Sequence, residues 1–162
     1  MTIISQLVNK QLINLEGVGE DKKELLQKLS KTLFDKGFVT DGFASAIMER
    51  EEEFPTGLRL EKTAVAIPHT YSEYVKKPFI YIVKLSKPIT FIQMGTSDEE
   101  VPVNFVIVLG ISEPKNQTGL LVELMNIFGQ DEFITKLQNS KSEEEVYQLF
   151  VTAEMEEELW KN

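Results

Sequence analysis

His69 is the only histidine in a chain of 162 residues that has no cysteine, and it follows the apolar run Ala64-Val65-Ala66-Ile67-Pro68. Any side chain that titrates near neutrality must therefore be this imidazole, unless an acid, a lysine or the amino terminus is strongly perturbed. Pro68 cannot donate a ladder hydrogen bond and has a fixed φ, so strand pairing should stop there and His69 should project from a stiff strand end. Side chains at strand-to-loop exits are positioned by the scaffold yet stay accessible, which suits a nucleophile or proton carrier. A surface histidine, or one satisfied within a core, fits the same local pattern.

Other chemistries find little support. One histidine and no cysteine make a zinc site improbable. In Glu51-Glu52-Glu53 three adjacent carboxylates on a helix point in different directions, which describes a solvated face better than a metal cluster. There is no Gly-x-Ser-x-Gly elbow, no Walker loop and no Gly-x-Gly-x-x-Gly, so no metal, nucleotide or other cofactor is expected. The formal charge of −9 argues against a nucleic-acid partner and leaves room for a basic protein partner. No apolar run approaches the roughly 18 residues of a membrane span, so no membrane insertion is expected. The opening Met1-Thr2-Ile3-Ile4-Ser5-Gln6 has no signal-peptide character, which makes the cytoplasm the expected compartment. Asn116-Gln117-Thr118 matches a glycosylation sequon that this setting makes accidental.

The elements that must hold His69 follow from periodicity. Leu25, Leu26, Leu29, Leu33 and Phe34 mark one face of a helix over Glu20 to Lys36, capped by Asp21 and closed by Gly37. A second helix over about Asp41 to Glu53 buries Phe43, Ala44, Ile47 and Met48 and leaves Glu49, Arg50 and Glu51 to Glu53 near solvent, until Pro55 and Gly57 break it. Ala64 to Ile67, Phe79 to Leu85 and Val101 to Leu109 read as strands, the last a central strand covered on both faces. Helices return after Pro114: one carries Leu120, Leu121, Leu124 and Phe128 and stops at Gly129. A short one is capped by Asp131, and a third opens with a Ser142/Glu145 capping box. This order predicts one domain over residues 1–162, a three-layer α/β/α fold whose mixed central sheet is flanked by helices, with an acidic extension over about 153–162.

Arg50-Glu51-Glu52-Glu53-Phe54-Pro55-Thr56-Gly57-Leu58, followed by Ala66-Ile67-Pro68-His69, resembles the mannitol/fructose-type enzyme IIA domain of the bacterial sugar phosphotransferase system. The likeness runs from the opening strand and helix through Val39-Thr40 to the helices after Gly110, and Phe54-Pro55-Thr56-Gly57 with Ala64 to His69 is most similar to the galactitol-type branch. It implies that His69 accepts a phosphoryl group from the phosphocarrier protein HPr, as a tele-phosphohistidine, and passes it to a cysteine of a separate enzyme IIB. It also implies a monomer that never touches the transported sugar.

The residue chemistry agrees, because a neutral imidazole has one ring nitrogen free to attack phosphorus, and phosphoryl transfer asks mainly for in-line positioning and donors around the equatorial oxygens. Arg50, Thr56 and Gln117 could supply those donors. Arg50 reads equally as a surface ion pair with Glu53 or Glu49, and Thr56 as a turn residue between Pro55 and Gly57. The mannitol pattern has a second histidine in His-Leu-x-x-Leu. Matching Leu121 to its last leucine places Gln117 at the histidine position, an amide that can donate but cannot carry a positive charge. Leu58, Leu60 and Tyr71 are candidates for an apolar docking patch. A regulatory module of the same fold, whose phosphorylation state controls a partner rather than feeding sugar uptake, is the alternative function.

Overall fold

The Val-rich run ahead of Gly110 forms the strand around which the other elements assemble. In the structure, a computed structural model describing residues 2–113 and 115–156, the elements are α1 (Ile3–Leu7), β1 (Val8–Gly17), α2 (Lys22–Asp35), α3 (Phe43–Glu53), β2 (Gly57–Arg59), β3 (Ala64–Ala66), β4 (Phe79–Ile92), β5 (Glu100–Gly110), α4 (Lys115–Phe128), α5 (Asp131–Asn139) and α6 (Glu143–Val151). The strands form one sheet in the order β1-β4-β5-β3-β2, with β5 in the middle as its sequence predicts. It is mixed: β1 runs parallel to β4 and β3 parallel to β5, while β4/β5 and β2/β3 are antiparallel.

Alternation along β5 sends its side chains into two separate cores. Val106 and Val108 pack with Leu25, Leu29 and Leu33 of α2 and with Phe43 and Ile47 of α3. Phe105, Ile107 and Leu109 pack with Ile4, Leu120, Leu124, Phe133, Val146 and Phe150 from the other helices. The layers are thus α2/α3, the sheet, and α1/α4/α5/α6, which is the expected α/β/α architecture. Each buried Leu, Ile or Phe stabilises it by roughly 1.5–3 kcal/mol.

Local signals set most boundaries. The Asp21 carboxylate accepts from Glu24 N at 2.8 Å at the start of α2, and Gly37, with φ +84°, ends it while Phe38 N donates to the Leu33 carbonyl at 2.9 Å. The Ser142 hydroxyl accepts from Glu145 N at 3.1 Å, whereas the Glu145 carboxylate reaches back to Lys141 N rather than to Ser142. Phe34, predicted on the inner face of α2, is 47% exposed, because the turn of the helix carries it past the Leu33 stripe.

Two elements have no clear local signature, and a third, α1, has only its Thr2 cap, whose hydroxyl accepts from Ser5 N at 3.0 Å. β2 is three residues beginning with glycine, β1 is largely polar, and α1 depends on Glu123, whose carboxylate accepts from Ile3 N and Ile4 N at 3.0 and 2.9 Å. Residues 153–156 run beside the end of α4 and the turn to α5, where the Asn126 and Gln130 side-chain amides donate to the carbonyls of Glu156 and Glu154 at 3.0 and 2.9 Å. The rest of the predicted acidic extension, residues 157–162, lies outside the described residues. Among those described, no helix is long and apolar enough to cross a membrane.

Gly110 closes β5 with its Cα against the ring of Phe79, which packs edge-on with Phe38 and Phe43 at centroid distances of 5.8 and 6.2 Å. A Cβ at this position would run into that ring. Gly110→Ala should therefore lower stability by about 1–3 kcal/mol through overpacking, seen as an earlier urea-unfolding midpoint.

Candidate functional site

Strand β3 delivers His69 to the carboxyl ends of two parallel strands. Val65 and Ala66 pair with Phe105 and Val106 of β5, and the Pro68 carbonyl then accepts from Leu109 N at 2.9 Å, so His69 forms a last bridge to Leu109 after the regular ladder has ended. The half-buried imidazole places Nδ1 2.8 Å from the Ile67 carbonyl oxygen. A carbonyl oxygen only accepts, so the neutral ring holds its proton on Nδ1 and its lone pair on Nε2. Burial holds the pKa of His69 below the usual 6.5; the Ile67 hydrogen bond opposes this shift, and the nearby Arg50 guanidinium adds to it. At neutral pH the ring is uncharged and nucleophilic at one nitrogen.

Arg50 stands on the last turn of α3. Its guanidinium lies 4.1 Å from the ring centre of Phe54 and 5.4 Å from that of Tyr71, and Nη1 donates to the Tyr71 hydroxyl at 3.4 Å. Stacking of this kind suits the weakly hydrated, planar guanidinium. The ion pairs with Glu49 or Glu53 that the sequence allowed are not formed among the described residues. Phe54 and Tyr71 are half exposed on either side.

Thr56 differs from expectation. Its hydroxyl is buried and donates to Glu51 Oε1 at 2.7 Å, while its backbone N–H donates to Glu51 Oε2, also at 2.7 Å. The same hydroxyl oxygen accepts from Ile67 N at 3.2 Å. Its one proton and its inward lone pair are thus committed to the scaffold beneath His69 rather than presented to a phosphoryl group. Gly57 lets this turn close against β4, where a Cβ would sit 2.6 Å from the Ile92 carbonyl oxygen.

Glu51, expected near solvent, is only 2% exposed. The sequence contains the signal: Phe43, Ile47 and Glu51 are spaced at i, i+4 and i+8, so the carboxylate continues the apolar stripe inward. Burial raises its pKa from the usual 4.5 to about 7, against the lowering effect of the Thr56 N–H and hydroxyl and of Lys22, with Glu52 adding to the rise.

Gln117, half buried, lies in the first turn of α4, and α4 leaves the end of β5 that flanks His69. Of the docking candidates, Leu58 joins the core and Leu60 packs against it. Tyr71 is exposed, and the aromatic residue missed by the sequence reading is its neighbour across Arg50, Phe54. Among the described residues, no group of three or more His, Cys, Asp or Glu could hold a metal ion.

A three-layer α/β/α fold thus holds one neutral imidazole at a parallel-strand end, near one aromatic-held cation; the class of protein, a phosphotransferase component, comes from comparison with known families. Residues 6–152 match the family "Phosphoenolpyruvate-dependent sugar phosphotransferase system, EIIA 2", and the chain belongs to it. It is 34% identical over 117 residues to the galactitol-specific EIIA component of Escherichia coli (strain K12), covering 72% of this chain and 77% of that protein. It is 26% identical over 126 residues to the transcriptional regulator ManR of Bacillus subtilis (strain 168), covering 78% of this chain and 18% of that protein. The mannitol enzyme IIA from Escherichia coli, solved in complex with phosphorylated enzyme IIB, shares the fold with a TM-score of 0.72 at 21% identity, covering 91% of this chain and all of that one (100%).

Two pH measurements follow. The His69 ring should titrate below 6.5 by NMR, and Arg50→Gln should move its midpoint upward by removing a positive charge. An unchanged midpoint would place the guanidinium too far away to act. For Glu51, the native state binds the extra proton between the unfolded value near 4.5 and the folded value of about 7. Its contribution to stability is therefore present at low pH and lost as pH rises through that window, by on the order of 3 kcal/mol at most. Glu51→Gln should lack this slope, so its unfolding free energy should gain on the wild type between pH 5 and 8.

Proposed function

We propose that this protein is a cytoplasmic enzyme IIA that accepts a phosphoryl group from phospho-HPr on Nε2 of His69 and passes it to the cysteine of a separate enzyme IIB, serving uptake of galactitol or a related polyol. The observation that carries this is the Nδ1 contact to the Ile67 carbonyl, which leaves the lone pair on Nε2 alone. Likeness to the galactitol-specific component supports the substrate class, and the mannitol enzyme IIA complex supports the partner.

In the forward step Nε2 forms a bond to phosphorus as the donor's P–N bond breaks. The proton stays on Nδ1, donated to the Ile67 carbonyl, and the donor imidazole leaves with its electron pair. In the second step a IIB thiolate attacks phosphorus and Nε2 recovers its lone pair. Arg50 is the donor and positive charge for the equatorial oxygens, with Phe54 and Tyr71 restricting its rotamers; the Gln117 amide is a second, uncharged donor from the start of α4. Thr56 contributes through the backbone below the ring rather than by touching phosphate.

Phosphoenolpyruvate, enzyme I and HPr should label the wild-type protein in an acid-labile form, and His69→Ala should abolish the label. Arg50→Ala should slow labelling about 100-fold with little change in thermal unfolding. Label retained without His69 would refute the assignment, and wild-type rates without Arg50 would return that residue to a structural role. The likeness to ManR favours one other reading, in which His69 phosphorylation controls a partner protein. Failure of transfer to any polyol-system IIB in a purified mixture would support it.

A further inference from the structure

We infer that Glu51 is a positioning residue for His69, acting through Thr56 and Ile67 on the direction and tautomer of the imidazole; this rests on reading His69 as the phosphoryl carrier. A carboxyl group 2% exposed is costly to bury, and two donors from one threonine could be satisfied by a neutral acceptor or by water at lower cost. A carboxylate nevertheless occupies the position, and its two oxygens are used separately. Oε2 takes the Thr56 N–H and Oε1 takes its hydroxyl proton, both at 2.7 Å.

The consequence is directional. Because the single hydroxyl proton of Thr56 goes to Glu51, the lone pair of Oγ1 is left for the Ile67 N–H at 3.2 Å, with the Thr56 carbonyl also near that N–H at 3.4 Å. In the next residue, the Pro68 carbonyl is held by Leu109 N at 2.9 Å, and the proline ring fixes φ between the two. With Ile67 N–H and the Pro68 carbonyl both pinned, the Ile67 carbonyl between them has little freedom, and it is the group that faces His69 Nδ1 at 2.8 Å. The coupling from carboxylate to ring is mechanical, carried by the orientation of one residue, since the N–H and C=O of Ile67 belong to different peptide units. Ile67 is 1% exposed and Pro68 is buried, which leaves little room for water to take over a lost partner.

Replacing Glu51 by glutamine keeps the shape but turns one acceptor into a donor that faces a Thr56 donor. Glu51→Gln should lower kcat for phosphoryl transfer about tenfold while KM for phospho-HPr stays at the wild-type value. In 15N NMR of the ring, the well-separated Nδ1 and Nε2 shifts of a single neutral tautomer should move toward each other. Thr56→Val should reproduce both changes, Thr56→Ser should recover most of the wild-type behaviour, and Glu51→Gln combined with Thr56→Val should be no worse than either alone. A folded Glu51→Gln protein with wild-type kcat and ring-nitrogen shifts overturns the inference. If Glu51→Gln does not fold, the Thr56→Val and Thr56→Ser pair decides in the same way. Were the wild type never phosphorylated on His69, the proposed function would fall while the nitrogen shifts still tested the relay.

Discussion

A carboxyl group removed from water must be met by donors, and the way Glu51 meets this requirement organises the end of the sheet where His69 stands. Its two oxygens bind the turn after α3 to the helix itself, through the backbone and side chain of Thr56. That turn in turn holds the Ile67 N–H, at the point where β3 gives out. A two-layer contact of helix and strand could slide by a fraction of an ångström without large penalty; two short hydrogen bonds to one carboxyl group in a dry setting resist such slippage far more strongly. The short strands β2 and β3, three residues each, would be weak ladders alone and are reinforced here by side-chain bonds.

The topology then converts this rigidity into a site. β3 and β5 are parallel and both terminate at the same end, so backbone from two strands brackets residues 67–69, and the loop leading to α4 departs from the same place. Open α/β sheets bind their ligands outside the carboxyl ends of parallel strands for this reason: the ladder runs out there, and side chains are no longer claimed by the core. Pro68 marks the transition, because it cannot donate to a neighbouring strand while its carbonyl still accepts from Leu109.

Much of this was readable from residue order. The Val-rich run ending at Gly110 reads as the central strand, the Asp21 and Gly37 signals bound α2, and Ile-Pro-His reads as a strand end that presents an imidazole. What escaped depends on distant partners. α1 is completed by Glu123 from the other end of the chain, and β2 exists because β3 is beside it. Glu51 was hidden by its neighbours, since a run of three glutamates looks solvated until helical phase is counted from Phe43. Thr56 reads in sequence as a donor or a turn residue, and which way its hydroxyl points is decided by a carboxyl group five residues earlier. Phe54 adjoins a turn and reads as part of it, and the path of the chain shows that it lies against the Arg50 guanidinium.

Desolvation acts on the two titrating groups in opposite directions and to one effect. It lowers the pKa of His69 and raises that of Glu51, in each case disfavouring the charged form. The guanidinium of Arg50 is then the principal full charge near the imidazole, held by two aromatic rings instead of being neutralised by a carboxylate, although Glu49, Glu52 and Glu53 are close in sequence. For the phosphoryl carrier proposed above this balance would matter, because a phosphoryl group must be stabilised while it transfers and released afterwards. Several cations around it would deepen the bound state as much as the transition state and slow departure. In the proposed function, with a neutral amide at Gln117, one Arg would supply charge where it develops, and the phosphorylated ring would stay high enough in energy to give its cargo to a thiolate.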